Sequence, residues 1–409
     1  MKLTITTIFY YILLLSLSLI LVLGSVACSS NETQQAQNTV RDSLGIKIIE
    51  NREPLWHKEK NWYIPVEPIL SLVDDAFFRI IGAVRFEDGR VVVANSGSGE
   101  LRFYDQKGNF KKVIGRPGKG PGEFSRLSSI HKFSNDSLIA FDASLYRVTI
   151  FDNHGIFMED FNLERDIKHS FSDVKVFSDG TLFISTIWSS RLERGDKSNG
   201  IKRHPAPYYR YSPLGMLIDT VAILPGKEIF MSVEKEIFSF SFNLPYSHSP
   251  VSAVYQNKAY IGTSDRFDIH VYTPTGKLNR IIQLVGVVDL HLSKEEIEAD
   301  KNVTIGYFDD PDIKKRQAKL LSNMPDSKSK PAYSSMIIDN AGNLWIGEHL
   351  PNRKNSIVWW VFNQDGQYLF EIKIHNNILV YEIGNDYILG KKLDKDGFES
   401  IWVYGLIKP

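Results

Sequence analysis

Five stretches of this chain run as alternating or continuous apolar residues and then break on the same figure: a polar or acidic residue, two further residues, then glycine. They are "FYDQKG" ending at Gly108, "IFDNHG" at Gly155, "RYSPLG" at Gly215, "VYTPTG" at Gly276 and "VFNQDG" at Gly366. Period-two alternation marks a half-buried strand, and a wholly apolar run marks a buried one. The glycine provides the positive φ of a tight turn. A second turn precedes each figure, at Asp88-Gly89, Asn135-Asp136, Asp179-Gly180, Gln256-Asn257 and Asp339 to Gly342, and a sixth follows at Gly384-Asn385. From first turn to closing glycine the spacing is 19 residues at 89→108, 136→155 and 257→276, and longer at 180→215 and 342→366. A constant spacing with occasional excess is a repeated unit that carries loop insertions.

The unit has room for four antiparallel strands, a to d, which in the first copy fall near 81–86, 90–95, 100–105 and 109–114. One such sheet cannot bury both faces, but sheets arranged radially can. Six first turns therefore predict an all-β, six-bladed β-propeller of four-stranded antiparallel blades. The sixth unit has no outer strand of its own, because the chain stops soon after "SIWVYGLIKP". The strand-like "NWYIPVEP" (61–68) is expected to pair there, so that the N-terminal strand closes the last blade. One segment departs from the β pattern. "LSKEEIEADK" opens with Ser293 and Glu296 at capping-box spacing, and "DDPDIKKRQAKLLSNMP" offers Asp310 as N-cap and Pro311 as first helical residue. They predict a small helical insertion over 291–325, between blades four and five.

Propeller topology puts b–c and d–a connections on one face and a–b and c–d turns on the other. The second set is short throughout. The long connections, 188–207, 223–250, 284–332 and 347–357, all fall on the first face, and long loops on one side of a rigid scaffold are where recognition sits. Candidate side chains on this face are Asp142 and Arg147, Asp265 and Arg266, Glu348, His349 and Arg353, with Trp188 beside the basic stretch "SRLERGDKSNGIKRH". Asp142, Arg147, Asp265 and Arg266 flank b–c hairpins, where ion pairs within or between blades account for them as well as ligand contacts do. The glycine-rich "GRPGKGPGEF" (115–124) looks like a phosphate loop. However, Pro121-Gly122 stands where a P-loop needs Lys-Ser/Thr, and a strand follows where a helix is required. It reads as a blade-to-blade crossing anchored by Phe124, with Arg116 and Lys119 as possible ligand contacts.

The N-terminus sets the compartment. Lys2 precedes an apolar run that reaches "GSVAC", and Cys28 is the only cysteine in the chain. A basic start, an apolar core and small residues before the cysteine predict a lipoprotein-type signal over 1–27 with lipid on Cys28, an uncleaved anchor being the alternative. Residues 28–41 are polar and aperiodic and read as a flexible tether, and 42–409 as the propeller. Lys+Arg and Asp+Glu are 48 each in 409 residues, so no overall field favours nucleic acid. Ten histidines are scattered without metal spacing, no serine stands in a G-x-S-x-G elbow, and no nucleophile is visibly paired with a base. No cofactor is predicted. Ca²⁺ or Zn²⁺ enters only if the chain is an enzyme.

With the units aligned, "DASLYRVTIFDNHG" (142–155), "IIDNAGNLWIGE" (337–348), "VIGRPGKGPGEF" (113–124) and "DSLGIKIIENREPLW" (42–56) resemble the NHL-type six-bladed propellers. More closely, they are similar to six-bladed propeller lipoproteins of environmental and gut bacteria, over about 42–409. The resemblance implies a propeller in the bacterial cell envelope, lipid-anchored at the outer membrane, and no fixed activity, since relatives include binding scaffolds and a few lyases or lactonases. From the sequence, the expected function is a monomeric, tethered module that binds a protein, peptide or glycan through its loop-rich face, in preference to an enzyme. The alternative is a metal-assisted lyase or a lactone or ester hydrolase working at the central mouth.

Overall fold

The computed structural model describes residues 38–56, 62–134, 137–165, 169–188, 200–234, 238–244, 246–306, 310–322, 324–349, 356–375 and 377–408. Blade one is formed by Ile80–Arg85, Val91–Asn95, Glu100–Tyr104 and Phe110–Ile114, each close to its position read from the repeat. Blades two to five start at Leu127–Ser134, His169–Val176, Val251–Tyr255 and Ser335–Ile338, and each adds three antiparallel strands outward. Blade six contributes Ile378–Ile383, Tyr387–Leu393 and Glu399–Gly405 from the C-terminal end. The first strands of successive blades touch one another all the way round, the sixth meeting the first.

The repeated figure does what its residues dictate. The five closing glycines have φ between 71° and 84°, and at the first of them Gly108 N donates to Asp105 O at 2.9 Å. The Asp105 carboxylate accepts from the amides of Lys107 and Asn109, both at 2.9 Å. A side chain that mimics a turn in this way explains the polar residue at the first position.

The ring is held by apolar clusters between neighbouring blades. Val84, Leu101 and Phe124 join blade one to Leu138 and Phe151 of blade two. Equivalent clusters join two to three, three to four, four to five and five to six. The last interface gathers Leu389, Ile401 and Val403 of blade six with Ile80, Val91 and Val93 of blade one around Leu72. Leu72 belongs to the closing strand, Pro68–Leu72, which pairs antiparallel with Glu399–Gly405 in the register Ile401↔Leu72 and Val403↔Leu70. The closure is as expected, but its strand begins where the expected segment 61–68 ends. Before Pro68, among the described residues of that segment, only Tyr63 makes a bridge, to Ile407. Pro65 lacks the amide a ladder needs, whereas Pro68 is tolerated as the first residue of the strand, opposite Tyr404, and Leu70 and Leu72 alternate inward.

The chain before the closing strand runs as a strap. Thr39–Ser43 and Ile46–Asn51 form a hairpin that the repeat did not announce, and Ile46–Asn51 lies parallel to the outer strand of blade four. Asn51, 1% exposed, donates to Gln283 O at 3.1 Å and Gly366 O at 3.0 Å and accepts from Tyr368 N at 2.9 Å, which stitches blade four to blade five. Trp56 then stacks on Phe370 with ring centroids 5.0 Å apart, and Trp62 wedges between Phe370 (5.1 Å) and Trp345 (5.9 Å).

Between blades four and five stand helix α1, Lys294–Gly306, and helix α2, Pro311–Ser322. The capping box is formed, with Glu296 N donating to Ser293 Oγ at 3.2 Å and Ser293 N to Glu296 Oε2 at 3.0 Å. Asp310 Oδ1 accepts from the amides of Asp312 and Ile313. Leu321 and Met324 pack on Phe230 and Leu244, so the helical insertion rests on the connection that leaves blade three. Among the described residues no helix is long and apolar enough to cross a membrane.

Removing the Trp62 ring from this interface should cost about 3–5 kcal/mol. Trp62→Ala is expected to lower the urea midpoint by that equivalent, and an unchanged midpoint would show that the strap carries no weight in closing the ring.

Candidate functional site

Two long connections and the short b–c loop of blade four converge on the loop-rich face. The one after blade three carries a hairpin, Ile229–Glu234 with Phe238–Asn243, whose neck is drawn together by Glu228 N donating to His248 O at 2.9 Å. The return segment after α2 is fixed by Lys330 N to Leu290 O (3.0 Å) and Ala332 N to Ser264 O (2.8 Å). Ser264, in the b–c loop of blade four, holds the three together. Its hydroxyl accepts from Ser249 N at 3.0 Å and its amide donates to Tyr333 Oη at 3.2 Å. It is 1% exposed and sits at φ 61°, a strained setting for a non-glycine residue next to a candidate site residue, Asp265.

These anchors bring Glu228, His248 and Asp265 together, with one ligand atom from each lying within 4.8 Å of the other two. Glu228 Oε2 is 2.8 Å from His248 Nδ1 and also accepts from His248 N at 2.9 Å. Burial works to raise the Glu228 carboxyl, but these hydrogen bonds hold it below its ordinary value. Asp265 is likewise held down against burial by Arg203 of blade three, whose Nη2 lies 3.0 Å from Asp265 Oδ2. The far side of the imidazole, Nε2, faces Ser329 Oγ at 3.4 Å. His248 is 6% exposed. An ionised Glu228 fixes Nδ1 as the ring's donor and leaves Nε2 as its acceptor in the neutral form.

Two cavities are walled by chain neighbours of these residues, though not by Glu228, His248 or Asp265 themselves. The larger, about 620 Å³, occupies the mouth of the ring and is walled in part by Lys227, Ile229, Ser249 and Pro250, the chain neighbours of Glu228 and His248. The smaller, about 280 Å³, is walled by Lys330 and Pro331, which follow Ser329, and by Tyr246, Glu348, His349 and Trp360. His349 packs against Tyr246 with ring centroids 5.6 Å apart, and burial pushes its pKa down to about 4.

Of the residues singled out in the sequence, Asp265 alone enters the cluster. Glu348 and His349 lie beside it on the smaller cavity, with Glu348 N donating to Val358 O at 2.8 Å. Arg266 is exposed and pairs with Asp268, and Asp265 pairs across blades with Arg203 as ion-pair logic anticipated. Asp142 is a structural cap. It is fully buried and accepts from the amides of Ser125 (2.6 Å), Arg126, Ser144 and Leu145 (each 2.9 Å). Arg147 leaves Asp142 alone and instead supports the glycine-rich crossing, donating to Lys119 O at 2.9 Å and to Glu123 O. Arg116 pairs with Glu123 at 2.7 Å, Lys119 is exposed, and Phe124 is buried at 1%. That crossing is architecture. Trp188 ends the second strand of blade three, opposite His169, and its side chain, like all of Arg353, lies outside the described residues.

Glu228 and His248 were missed. Both lie on the connection 223–250 that loop length had marked, but they are 20 residues apart with no local signature, and Ser329 is a further 81 away. The cluster overturns the preference for a pure binding module over an enzyme. An ionised acid, an imidazole and a second carboxylate held together form a set competent for metal or acid–base chemistry.

Fold and site together define a six-bladed β-propeller with a polar cluster on its elaborated face. A family model, DUF5128, described as a 6-bladed beta-propeller, matches residues 63–187. Among solved structures, a member of the duf4221 family from Bacteroides vulgatus is similar at 11% identity, covering 86% of this chain and 100% of that one with a TM-score of 0.50. A Bacteroides fragilis protein matches at 13% identity over 88% and 99% of the two chains, TM-score 0.45. Virginiamycin B lyase from Staphylococcus aureus matches at 10% over 83% and 99%, TM-score 0.42. Such distances speak for the fold alone. No curated protein matches the chain.

The ring's channel has its own charge network. Asp173 lies 2.7 Å from His131 Nε2 and also pairs with Lys175. It is deeply crowded, although 24% of its side-chain surface still opens to the channel. Burial opposes ionisation there, but Lys175 and His131 hold the carboxyl well below its usual value. A carboxyl with a depressed folded pKa stabilises the fold above the unfolded value near 3.9, and that contribution is lost as pH falls through the folded value. Asp173→Asn should therefore lower the urea midpoint at pH 7, with the gap to wild type closing only below about pH 4. A gap that is constant from pH 7 to 3 would refute this.

Proposed function

We propose that the chain is a propeller enzyme acting on its loop-rich face, a metal-assisted hydrolase of small esters or lactones or a lyase, with Glu228, His248 and Asp265 at its centre. The convergence of these three side chains from two separate loops is the observation that carries the reading. Two carboxylates and an imidazole suit Zn²⁺ or a similar first-row divalent ion better than Ca²⁺, which favours all-oxygen shells. When bound, such an ion polarises a carbonyl and lowers the pKa of water. The chain's own residues do the rest. Arg203 orients Asp265 and would share it with the ion, and Glu228 fixes the His248 ring.

The full chain is expected to copurify with about one divalent ion per molecule. That ion should be lost in His248→Ala and Glu228→Gln variants whose circular dichroism is unchanged, together with chelator-sensitive turnover of ester or lactone substrates. Metal-free protein without turnover of either class overturns the reading.

The same proposal places the propeller outside the cytoplasm, as a monomer held by lipid on Cys28 at the outer membrane, with the signal and tether read from residues 1–41. The support is the basic, apolar and small-residue order that leads to Cys28. Wild-type protein should take up labelled palmitate and sediment with membranes, and Cys28→Ser should do neither. Equal labelling of the two would favour an uncleaved anchor or another site.

A further inference from the structure

We infer that Ser329, His248 and Glu228 form a nucleophile–base–orienter relay that can cleave acyl esters without a metal. The three stand in the order such a relay requires. Ser329 Oγ is 3.4 Å from His248 Nε2, and His248 Nδ1 is 2.8 Å from Glu228 Oε2. Catalytic hydrogen bonds of this kind are commonly long before substrate arrives and tighten in the complex. Triads are recognised by geometry and roles, since the same constellation arises on unrelated folds with members in any chain order.

Three further features support the assignment. Glu228 Oε2 engages both the Nδ1 and the backbone amide of His248, so the ring nitrogen left to face the serine is Nε2. Ser329 is half-buried on a return segment anchored just after it, by Lys330 N to Leu290 O and Ala332 N to Ser264 O. The 280 Å³ cavity beside it contains Trp360, 4% exposed, whose indole N–H has no acceptor among the described residues. A buried donor without a partner is costly unless a ligand oxygen meets it. Together with Tyr246, Val288 and His349, it makes a small pocket suited to a short acyl or aryl ester.

In the acylation step Ser329 Oγ bonds to the acyl carbon and its proton passes to His248 Nε2. The ester C–O bond then breaks, and the leaving alkoxide takes that proton as the alcohol. Water, deprotonated by the same nitrogen, attacks the acyl-serine, which releases the acid and restores Ser329. No oxidant or further reactant is needed. The inference rests on the reading that the chain is an enzyme acting at this cluster, but not on the metal. His248 cannot serve as a metal ligand through Nε2 and as a base through the same atom, so the two routes are separable.

The test treats the full chain, with and without excess chelator, with a fluorophosphonate probe, which a nucleophilic serine attacks with loss of fluoride. Mass spectrometry should place the label on Ser329 in both conditions. Ser329→Ala and His248→Ala should abolish it, and Ser327→Ala, two residues away, should keep it. The part of p-nitrophenyl acetate hydrolysis that survives chelator should fall by about a hundredfold or more in kcat for Ser329→Ala. An unlabelled Ser329, or wild-type turnover in a folded Ser329→Ala variant, overturns the relay. If turnover is then chelator-sensitive, the metal reading stands alone. Labelling with chelator-resistant turnover retains the relay and removes the metal.

Discussion

A ring of sheets has to close, and every blade interface here depends on that closure. A propeller blade buries its faces only against its neighbours, so an open end would expose the Ile401, Val403 and Leu389 side of blade six and the Val91 and Val93 side of blade one together. The chain solves this by lending its N-terminal segment to its C-terminal blade. Leu72 is placed at the junction, and a strand that starts outside the repeat ends as its last member. The strap before that strand extends the same device to blades four and five through Asn51, Trp56 and Trp62, so the seam is spread over half the circumference.

A rigid, closed ring leaves its loops free to specialise, and they do so on one side. The connection after blade three and the return from α2 lie outside the repeat, yet Ser264, in the short b–c loop of blade four, and the apolar contact of Leu321 and Met324 with Phe230 make them one body. The polar cluster forms where these additions meet. Its charges are paired in ways that suit preorganisation, with Arg203 on Asp265 and Glu228 on His248, so the ring nitrogen that faces Ser329 is held without a bound ligand. By contrast, the repeat's own charged residues are used for structure. Asp142 caps four amides, Arg147 supports the glycine-rich crossing, and Arg102 at the equivalent place in blade one pairs with Asp74 at 2.9 Å.

The fold was legible because a propeller is written locally. Alternation of period two, a glycine that must take positive φ and a fixed spacing between turns each depend on residues a few positions apart, and together they predicted blade number, strand limits and even the borrowed strand. The closing strand was misplaced by several residues for an equally local reason. Pro65 was read as part of a strand whose ladder it cannot serve. The capping box at Ser293 and the N-cap at Asp310 were likewise legible, because a cap is a contact over three residues.

The site belongs to the other category. Glu228, His248, Asp265 and Ser329 are spread over about a hundred residues and three connections, and nothing in their neighbourhoods distinguishes them from other polar loop residues. Loop length could say which face to search, because insertions outside a rigid repeat are visible as excess spacing. It could not say which acid would meet which histidine. That was decided by backbone hydrogen bonds between segments, at Glu228 with His248 and at Ser264 with Ala332, and these exist only once the ring has brought blades three, four and five side by side. The sequence by itself determined the repeat and the ring, because their causes are short-range. Only the tertiary structure decided the chemistry, because it depends on atoms that folding alone makes neighbours.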